Sequence, residues 1–414
     1  MAAATSDVAK TATPGVHTTR WGILATGWMA GVFVKDLLGD PLVRKVTDVR
    51  HEVVAVASSS SIDRATKFIG DHGVPSTAKA YGSYEELVND PNVDIIYVAT
   101  PHSHHYQNAM LALQAGKPVL VEKAFTTNAQ QAKALMATAK EKNLFLMEAI
   151  WTRYIPISKM VQDVVTDGTI GEVQRVFADM SFGEDIEKRW GTKKREVNLD
   201  LAGGALLDLG VYALTWVFQI LYHLQPEPRQ APTVLSTVTK YELTGADELT
   251  SILLTFPTCP ASKGSTRRNP THGIATCGMR ASSDPDGKGS TGASIKIQGT
   301  KGEIQVFGPP FRPTRFRLIP KLETTTGEPV GRLTEVEDVE IVIPGPGLEK
   351  GGHGMFWEAD EAARCLRDGK LESSVMDWEE VVAVMEVMDK VREQNGIVYP
   401  QAIETTEFPI KLPS

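Results

Sequence analysis

The chain has 414 residues, with 43 lysines and arginines, 51 aspartates and glutamates, and a formal net charge of −8. Hydrophobic residues make up 42% of it, which is typical of a folded protein and excludes extensive disorder, and the length favours two domains. The basic residues are dispersed rather than clustered, so we expect no nucleic-acid partner.

The N-terminus and the cysteines favour a protein of the reducing cytoplasm. Residues 1–19 are small and polar without an apolar core, so they predict a flexible tail rather than a secretory signal. The chain has three cysteines, Cys259, Cys277 and Cys365. Their number and spacing do not suggest a disulfide framework or a short metal-binding motif. We therefore expect a cytoplasmic protein without a bound metal.

Between residue 20 and residue 150, apolar runs alternate with amphipathic segments. The runs are WGILA, HEVVAVA, VDIIYVAT, KPVLVEK and LFLMEA. This alternation predicts βα units and a doubly wound parallel sheet with helices on both faces. We interpret residues 20–150 as a Rossmann dinucleotide-binding domain.

After residue 150 the pattern changes to strands separated by turns, which predicts a second α/β domain, residues 151–414, on a largely antiparallel open sheet. Residues 257–292 are rich in glycine, proline and serine and predict a long loop inserted in that sheet. Residues 206–224 are apolar enough to span a membrane but include Asp208 and His223. A buried helix fits them better, and we expect no membrane partner.

The loop after the first strand has features of a dinucleotide site. The sequence ATGWMA matches G-x-G-x-x-G/A with Ala25 at the first position and Gly27 at the second. A side chain at Gly27 would hold the backbone away from a pyrophosphate, whose charge is met by amides at the helix start. An ordinary strand-to-helix turn is the alternative. The expected cofactor contacts are Ala25, Thr26, Gly27, Trp28 and Met29.

The end of the second strand bears on the choice between NAD and NADP. NAD-selective sites usually offer a carboxylate to the ribose, whereas this strand ends in Ser58 and Ser59. Arg64, one helical turn later, could bind a 2′-phosphate, which favours NADP. Asp63 is close enough in the sequence to offer its carboxylate to the ribose, so NAD remains an alternative.

Glu122 and Lys123 follow an apolar strand directly, where ligands of open α/β sheets bind. In the second domain, GGALLDLGVY puts Asp208 and Tyr212 four residues apart, on one face of a helix. Lowering a tyrosine pKa from about 10 to about 7 takes about 4 kcal/mol, which an ammonium about 4 Å away supplies at a dielectric of about 20. Lys123 and Tyr212 could then form an acid/base pair. A solvated lysine and a core tyrosine are the alternatives.

Together these segments resemble the Gfo/Idh/MocA oxidoreductase family, from residue 20 onward. The resemblance is carried, in family order, by GILATGWMA, VATPHSHHYQNAMLAL, AGKPVLVEKAF, MEAIWTRYIP, IGEVQRVFADMSF, GGALLDLGVYAL and IQGTKGEI. The chain is most similar to the branch of fungal NADP-dependent D-xylose 1-dehydrogenases and dimeric dihydrodiol dehydrogenases. The resemblance implies nicotinamide bound between the domains, a homodimer through the open sheet, and no metal.

The resemblance also implies roles for residues by position. Lys123 would hold the substrate oxygen, Tyr212 would be the acid/base, and Asp208 would bind sugar hydroxyls or orient the pair. Ala124 stands where many members have proline, and Tyr212 stands where many have histidine. The other implied contacts with cofactor or substrate are Thr100, Pro101, His102, His105, Glu122, Trp151 and Arg153.

We therefore expect an NADP-dependent dehydrogenase that oxidises the C1 hydroxyl of D-xylose to xylonolactone. One alternative is oxidation of trans-dihydrodiols to catechols by the same pair on a flatter substrate. Another is a regulator that binds the dinucleotide without turnover, against which the retention of Lys123 and Tyr212 argues.

Overall fold

The computed structural model describes residues 15–264, 269–344 and 352–412. Of the predicted flexible tail, residues 1–14 lie outside the described residues. The prediction is wrong at its other end, because the first strand already begins at His17. Pairing explains the early start, since His17 to Leu24 lie in parallel register with the second strand.

The N-terminal part of the chain forms a six-stranded parallel sheet. Its strands are β1 (His17–Leu24), β2 (Val49–Ala57), β3 (Lys79–Tyr81), β4 (Ile95–Val98), β5 (Val119–Glu122) and β6 (Leu146–Ala149). They lie in the order β3-β2-β1-β4-β5-β6, and every pair is parallel. This is the doubly wound order of dinucleotide-binding folds, and it confirms the prediction of a Rossmann sheet.

Helices connect these strands and differ in how they begin. They are α1 (Trp28–Leu37), α2 (Ile62–Asp71), α3 (Tyr84–Val88), α4 (His102–Gln114) and α5 (Ala129–Lys142). Side chains of Ser61, Ser83 and Asn128 cap α2, α3 and α5. Helices α1 and α4 begin after Gly27 and Pro101 without a side-chain cap. Their first amide groups are therefore available to a ligand at the carboxyl edge of the sheet.

The second sheet has eight strands, antiparallel except for one pair, which confirms the predicted fold class. They are β7 (Val173–Ser181), β8 (Thr233–Lys240), β9 (Asp247–Phe256), β10 (Thr271–Gly278), β11 (Ile295–Gly299), β12 (Gly302–Val306), β13 (Arg315–Pro320) and β14 (Glu337–Glu340). Their order is β14-β13-β12-β11-β7-β10-β9-β8, and only β7 and β10 run parallel.

The other helices are α6 (Pro156–Thr166), α7 (Ile186–Arg189), α8 (Val211–Leu221), α9 (Phe356–Arg367), α10 (Trp378–Asn395) and α11 (Gln401–Glu404). Helices α8 and α10 pack on one face of the second sheet. The segment Leu199–Leu221 has the length and hydropathy of a membrane span, but 89% of its most apolar window is buried inside the protein. It is therefore a core helix of the described chain.

The prediction of one long loop at residues 257–292 is wrong. Strand β10, Thr271–Gly278, lies within it and pairs with both β7 and β9 near the centre of the sheet. Residues 265–268 of the predicted loop lie outside the described residues. Turn residues on both sides of HGIATC made this segment look like part of a loop. It is a strand because β7 and β9 both pair with it.

Helix α9 packs against β1, β2 and α1, although the sequence assigned it to the second domain. Arg44 and His51 of the first sheet region bind its Asp360, at 2.7 Å and 2.9 Å. The indole of Trp21 donates to His51 Nδ1 at 3.2 Å. These side chains are almost fully buried, so the C-terminal part of the chain completes the covering of the Rossmann sheet.

Candidate active site

The turn between β1 and α1 has the backbone that a dinucleotide loop needs. Ala25 takes a φ of 102°, a conformation that suits glycine, at the position where the motif has its first glycine. Apart from Gly27 itself and its neighbours in the chain, nothing lies within 4 Å of the position that a Cβ of Gly27 would occupy. The turn therefore leaves open space beside the uncapped start of α1, and this arrangement fits a pyrophosphate.

The end of β2 gathers small hydroxyl groups and one cation. Arg64 of α2 donates to the hydroxyl of Ser60 at 3.3 Å, and Ser60 in turn lies 3.5 Å from the hydroxyl of Ser58. Ser59 and Ser60 are exposed at this edge of the sheet. A guanidinium beside hydroxyl groups can hold a phosphate on a ribose.

Lys123 is joined to the second domain by Asp208. Its ammonium donates to the carboxylate Oδ1 and to the backbone oxygen of Asp208, each at 2.7 Å. Arg195 lies 3.6 Å from the same carboxylate. Burial alone would raise the pKa of Asp208, but Lys123 and Arg195 hold that pKa far below its usual range. Asp208 is thus a permanent anion between two cations.

Tyr212 adjoins this cluster but not in the way that the sequence predicted. Trp151 Nε1 donates to the Tyr212 hydroxyl at 2.9 Å, whereas the Lys123 ammonium lies over the ring, 4.8 Å from its centroid. Burial and the nearby Glu122 carboxyl raise the pKa of Tyr212 well above its usual value. The expected lowering of this pKa by Lys123 is therefore not found, because the ammonium is paired with Asp208 and faces the ring.

Two glycines allow the Asp208 segment to pack tightly. The segment is a π-helix, Leu206–Gly210, that continues into α8. Asp247 accepts a hydrogen bond from Leu206 N at 2.6 Å, and a Cβ on Gly204 would lie 2.0 Å from Asp247 Oδ1. A Cβ on Gly203 would lie 2.4 Å from the backbone oxygen of Arg195. The glycine pair thus brings Asp208 and Arg195 together.

A cavity of about 580 Å³ lies against this cluster. Its walls come from α1 and the end of β5 in the first domain, and from β7, the π-helix segment and loops in the second. Of the residues predicted from sequence, it is lined by Trp28, Met29, Lys123, Trp151, Asp208 and Tyr212. Other lining residues were not predicted from sequence, among them Phe182, Glu184, Trp190, Arg195, Phe311, Arg312 and His353. Residues 188–195, KRWGTKKR, include five basic residues, and this stretch is a signal that could have pointed to Trp190 and Arg195.

Arg153 does not line the cavity, contrary to the prediction. Its guanidinium is buried in an ion pair with Glu380, 3.1 Å away, and also donates to Gln219 at 3.3 Å. Trp151, two residues earlier, stacks on Phe311 with ring centroids 5.7 Å apart. The short 3-10 helix Trp151–Arg153 therefore directs these two side chains to different surroundings.

Glu122 also turns inward, away from the cavity. It accepts hydrogen bonds from the Tyr97 hydroxyl and from Lys123 N. Burial raises the pKa of Glu122 to about 7. Its position therefore indicates a buried partner of the core residue Tyr97 and not a cofactor contact.

The residues around α4 have mixed positions. Thr100 and Pro101 form the turn before α4, at the carboxyl edge where β1 and β4 adjoin. His105 lies 2.8 Å from the backbone oxygens of both Thr100 and Ala124, so it ties this turn to the residue after Lys123. His102 is buried with Nδ1 3.3 Å from the oxygen of Ala202. Both histidines therefore contact backbone rather than the cavity.

No group of three histidine, cysteine, aspartate or glutamate side chains that could hold a metal ion occurs within the described ranges. The cavity wall includes the ammonium of Lys123, the carboxylate of Asp208 and the phenol of Tyr212. Lys123 can donate hydrogen bonds to an oxygen, and Tyr212 can exchange a proton with it. The fold and this cavity define a dinucleotide-dependent oxidoreductase.

Comparison with known proteins agrees with that class. Residues 20–150 match the family model described as the Gfo/Idh/MocA oxidoreductase family with an NAD-binding Rossmann fold, and residues 158–305 match the Gfo/Idh/MocA C-terminal domain. D-xylose 1-dehydrogenase (NADP(+)) of Hypocrea jecorina is 52% identical over 96% of this chain and 97% of the relative. Human trans-1,2-dihydrobenzene-1,2-diol dehydrogenase is 32% identical over 92% and 98%.

Solved structures share the fold. A 3-ketoreductase from Actinomadura kijaniata in complex with NADP and TDP-benzene has a TM-score of 0.65 at 22% identity, covering 91% of this chain and 97% of that one. An NAD-binding oxidoreductase from Klebsiella pneumoniae has a TM-score of 0.70 at 19% identity, covering 92% and 97%. The chain belongs to the Gfo/Idh/MocA oxidoreductase family, as its motifs predicted.

Proposed function

We propose that the chain catalyses the NADP-dependent oxidation of the C1 hydroxyl of an aldopyranose, D-xylose, to xylonolactone. The observation that carries this proposal is the 52% identity, over almost the whole chain, to an NADP-dependent D-xylose 1-dehydrogenase. A cavity with an ammonium, a carboxylate and a phenol in contact is consistent with that chemistry.

The residues present fit NADP. In the proposal the turn Ala25–Met29, together with Thr100 and Pro101, holds the dinucleotide, because the first amides of α1 are uncapped and the space beside Gly27 is open. Ser58, Ser59 and Arg64 hold the 2′-phosphate. NADP, when bound, accepts the hydride from C1 of the sugar.

The catalytic roles follow from the contacts in the cavity. Lys123, held rigidly by Asp208, donates a hydrogen bond to the substrate oxygen and stabilises negative charge that develops there. Tyr212 exchanges the proton of that oxygen. Because burial raises its pKa, neutral Tyr212 is ready to donate a proton in the reducing direction. Oxidation needs the phenolate form, whose fraction grows as the pH rises.

The walls of the cavity suit a sugar ring. Trp28 and Trp151 offer aromatic faces to the apolar side of a pyranose, and Glu184 and Arg195 offer partners for hydroxyl groups. The same aromatic faces would also suit the flat ring of a trans-dihydrodiol. The 32% identity to trans-1,2-dihydrobenzene-1,2-diol dehydrogenases keeps that reaction as the second candidate.

We propose further that the protein is a cytoplasmic homodimer, with residues 20–150 binding the dinucleotide and residues 151–414 binding substrate and the partner subunit. Helices cover one face of the eight-stranded sheet. On its other face Leu235 and Leu253 are opposite each other on β8 and β9 and are 66% and 43% exposed, and Leu249 is also exposed. Exposed leucines on an open sheet support burial of that face between two subunits.

The test is absorbance of the reduced nicotinamide with D-xylose, D-glucose and a trans-dihydrodiol, each with NADP and with NAD. We expect turnover of D-xylose with NADP and a rate of oxidation that rises from pH 6 to pH 9. Lys123→Met and Tyr212→Phe should each lower kcat by about 10³-fold, within the range for loss of acid/base catalysis.

Tyr222→Phe is the matched control, because the Tyr222 hydroxyl binds Glu379 at the far end of α8. It should leave turnover unchanged. Faster turnover of the trans-dihydrodiol than of D-xylose would favour the second candidate, a dihydrodiol dehydrogenase. Tight binding of NADP without turnover of any substrate would instead favour a dinucleotide-sensing regulator.

A further inference from the structure

His353 is a polar residue in a largely aromatic part of the cavity wall. It lies just before α9 and lines the cavity, although more than 140 positions separate it from Tyr212. Its ring stacks on Trp151, with centroids 6.2 Å apart and planes inclined by 28°. Trp151 in turn donates to the Tyr212 hydroxyl at 2.9 Å. His353 is thus one aromatic ring away from the group that exchanges the substrate proton.

The backbone that carries His353 is held firmly by Asp36. This buried carboxylate of α1 accepts hydrogen bonds from His353 N at 3.0 Å, Gly354 N at 2.7 Å and Met355 N at 2.9 Å. Gly354 takes a φ of 95°, which turns the chain into α9. Three bonds to one carboxylate fix the backbone that carries the imidazole, and the stack on Trp151 orients the ring.

The chemistry of the ring points to a hydrogen-bond donor. Its Nδ1 is buried and has no hydrogen-bond partner among the described residues. Burial and the cations Arg312 and Lys35 lower the pKa of His353, although Asp36 opposes them. A neutral ring carries one proton, and a buried N–H without an acceptor is costlier than a buried lone pair. The proton therefore belongs on Nε2.

We propose that His353 is a specificity-determining residue, whose Nε2–H donates a hydrogen bond to a sugar hydroxyl other than the one that is oxidised. The inference rests on the proposed oxidation of a sugar at Lys123 and Tyr212. Asp36 is a positioning residue, which acts on the substrate only through His353. A substrate without that hydroxyl leaves the imidazole unpartnered and is discriminated against.

The experiment combines a variant with shortened substrates. We would measure kcat/KM with NADP for D-xylose and its 2-, 3- and 4-deoxy analogues, for the natural protein and for His353→Phe, which keeps a ring against Trp151. Loss of one hydroxyl should cost the natural protein about tenfold in kcat/KM. The same loss should cost His353→Phe no more than about twofold, because the bond is already gone.

Two further variants separate contact from folding. His353→Gln keeps a donor and should retain most of the tenfold discrimination. Asp36→Ala should raise KM for D-xylose and lose the discrimination while leaving KM for NADP unchanged. A merely structural Asp36 would instead lower the thermal midpoint and leave the discrimination intact.

The outcomes distinguish the two proposals. If the natural protein does not oxidise D-xylose, the proposed function fails and this inference fails with it. If the natural protein does oxidise D-xylose but His353→Phe lowers kcat/KM equally for all four sugars, His353 contacts no single hydroxyl. A change confined to KM for NADP would assign His353 to the cofactor. Either of the last two results overturns the inference alone.

Discussion

Single residues of the site show how one buried charge requires another. Lys123 and Asp208 have side chains only 8% and 15% exposed, and each would be unfavourable alone. Arg195 lies beside Asp208 and also pairs with Glu196, 3.4 Å away, so two cations and two anions adjoin one another. The Lys123 ammonium lines a cavity in which the substrate oxygen gains negative charge during the proposed reaction. The cluster is therefore arranged for chemistry rather than for stability.

Arg64 provides a test of cofactor choice at the residue scale. Arg64→Ala removes the guanidinium beside Ser60, so we expect KM for NADP to rise about tenfold while KM for NAD stays unchanged. The measurement is steady-state kinetics with both dinucleotides. Lys67→Ala, on the same helix but paired with Asp71, is the control. Equal losses with NADP and NAD would place Arg64 away from the 2′-phosphate.

Glu148 at the end of β6 should make stability depend on pH. Burial raises its pKa to about 8, from an ordinary value of 4.5, although it accepts a hydrogen bond from Phe125 N at 3.0 Å. The folded chain thus holds this proton more tightly than the unfolded chain. The resulting stabilisation is complete below about pH 4.5 and is lost as the pH rises through 8.

Glu148→Gln keeps an acceptor for Phe125 N but has no proton to lose. We compare the free energy of unfolding of the variant with that of the natural protein. The difference, variant minus natural protein, should increase by about 2 kcal/mol or more from pH 5 to pH 8. Urea denaturation at a series of pH values measures this, and Glu141→Gln on the exposed face of α5 is the control. A difference that stays constant with pH would show that Glu148 ionises normally.

At the scale of elements, the start of the π-helix is positioned by a carboxylate side chain of β9. Asp247 accepts from Leu206 N and from the Thr250 hydroxyl, at 2.6 Å and 3.0 Å, and so fixes the start of the element that carries Asp208. This contact requires Gly204, which has a φ of 137° and no room for a side chain. The glycine pair begins the sequence GGALLDLGVY, but the contact that requires Gly204 is with Asp247 of β9.

Gly204→Ala tests that packing. The new Cβ would lie 2.0 Å from Asp247 Oδ1, so we expect the free energy of unfolding to fall by about 3 kcal/mol and turnover to fall with it. Gly116→Ala is the control, since Gly116 has a φ of 77° but nothing within 4 Å of its Cβ position. It should cost about 1 kcal/mol. Equal losses in the two variants would mean that the φ angle, and not the contact with Asp247, sets the cost.

At the scale of the whole molecule, the cavity exists because the chain returns to its first domain. Helix α9 follows the second sheet in sequence but packs on β1 and β2, where Asp360 binds Arg44 and His51. This return places the His353 segment against α1 and opposite the second sheet. A cavity closed by segments from residue 28 to residue 353 follows from that path.

The exposed leucines of the open sheet give a test of assembly. Leu253→Lys puts a charge opposite Leu235 on the adjacent strand, so we expect the proposed dimer to separate into monomers. Sedimentation velocity measures the change in mass. Leu42→Lys, in the exposed 3-10 turn of the first domain, should leave the assembly unchanged. An unchanged mass for Leu253→Lys would exclude this face from the interface.

Much of the fold could be predicted because its signals are local. The apolar runs of β1, β2, β4, β5 and β6 are separated by amphipathic helices, and this rhythm specifies a parallel sheet without knowledge of distant contacts. Strand β10 was missed for the opposite reason. Its short alternating run is bounded by turn residues, and only pairing with β7 and β9 stabilises it as a strand.

The sequence by itself determined the Rossmann sheet, the second open sheet, the family, and the residues that end strands at the carboxyl edge, because each depends on periodicity or on short motifs. Tertiary structure alone decided that Lys123 binds Asp208 instead of the Tyr212 hydroxyl, that Arg153 and Glu122 turn inward, and that His353 reaches the cavity. These outcomes depend on contacts between buried charges that are far apart in the sequence. Local sequence patterns do not predict which of these charges will pair.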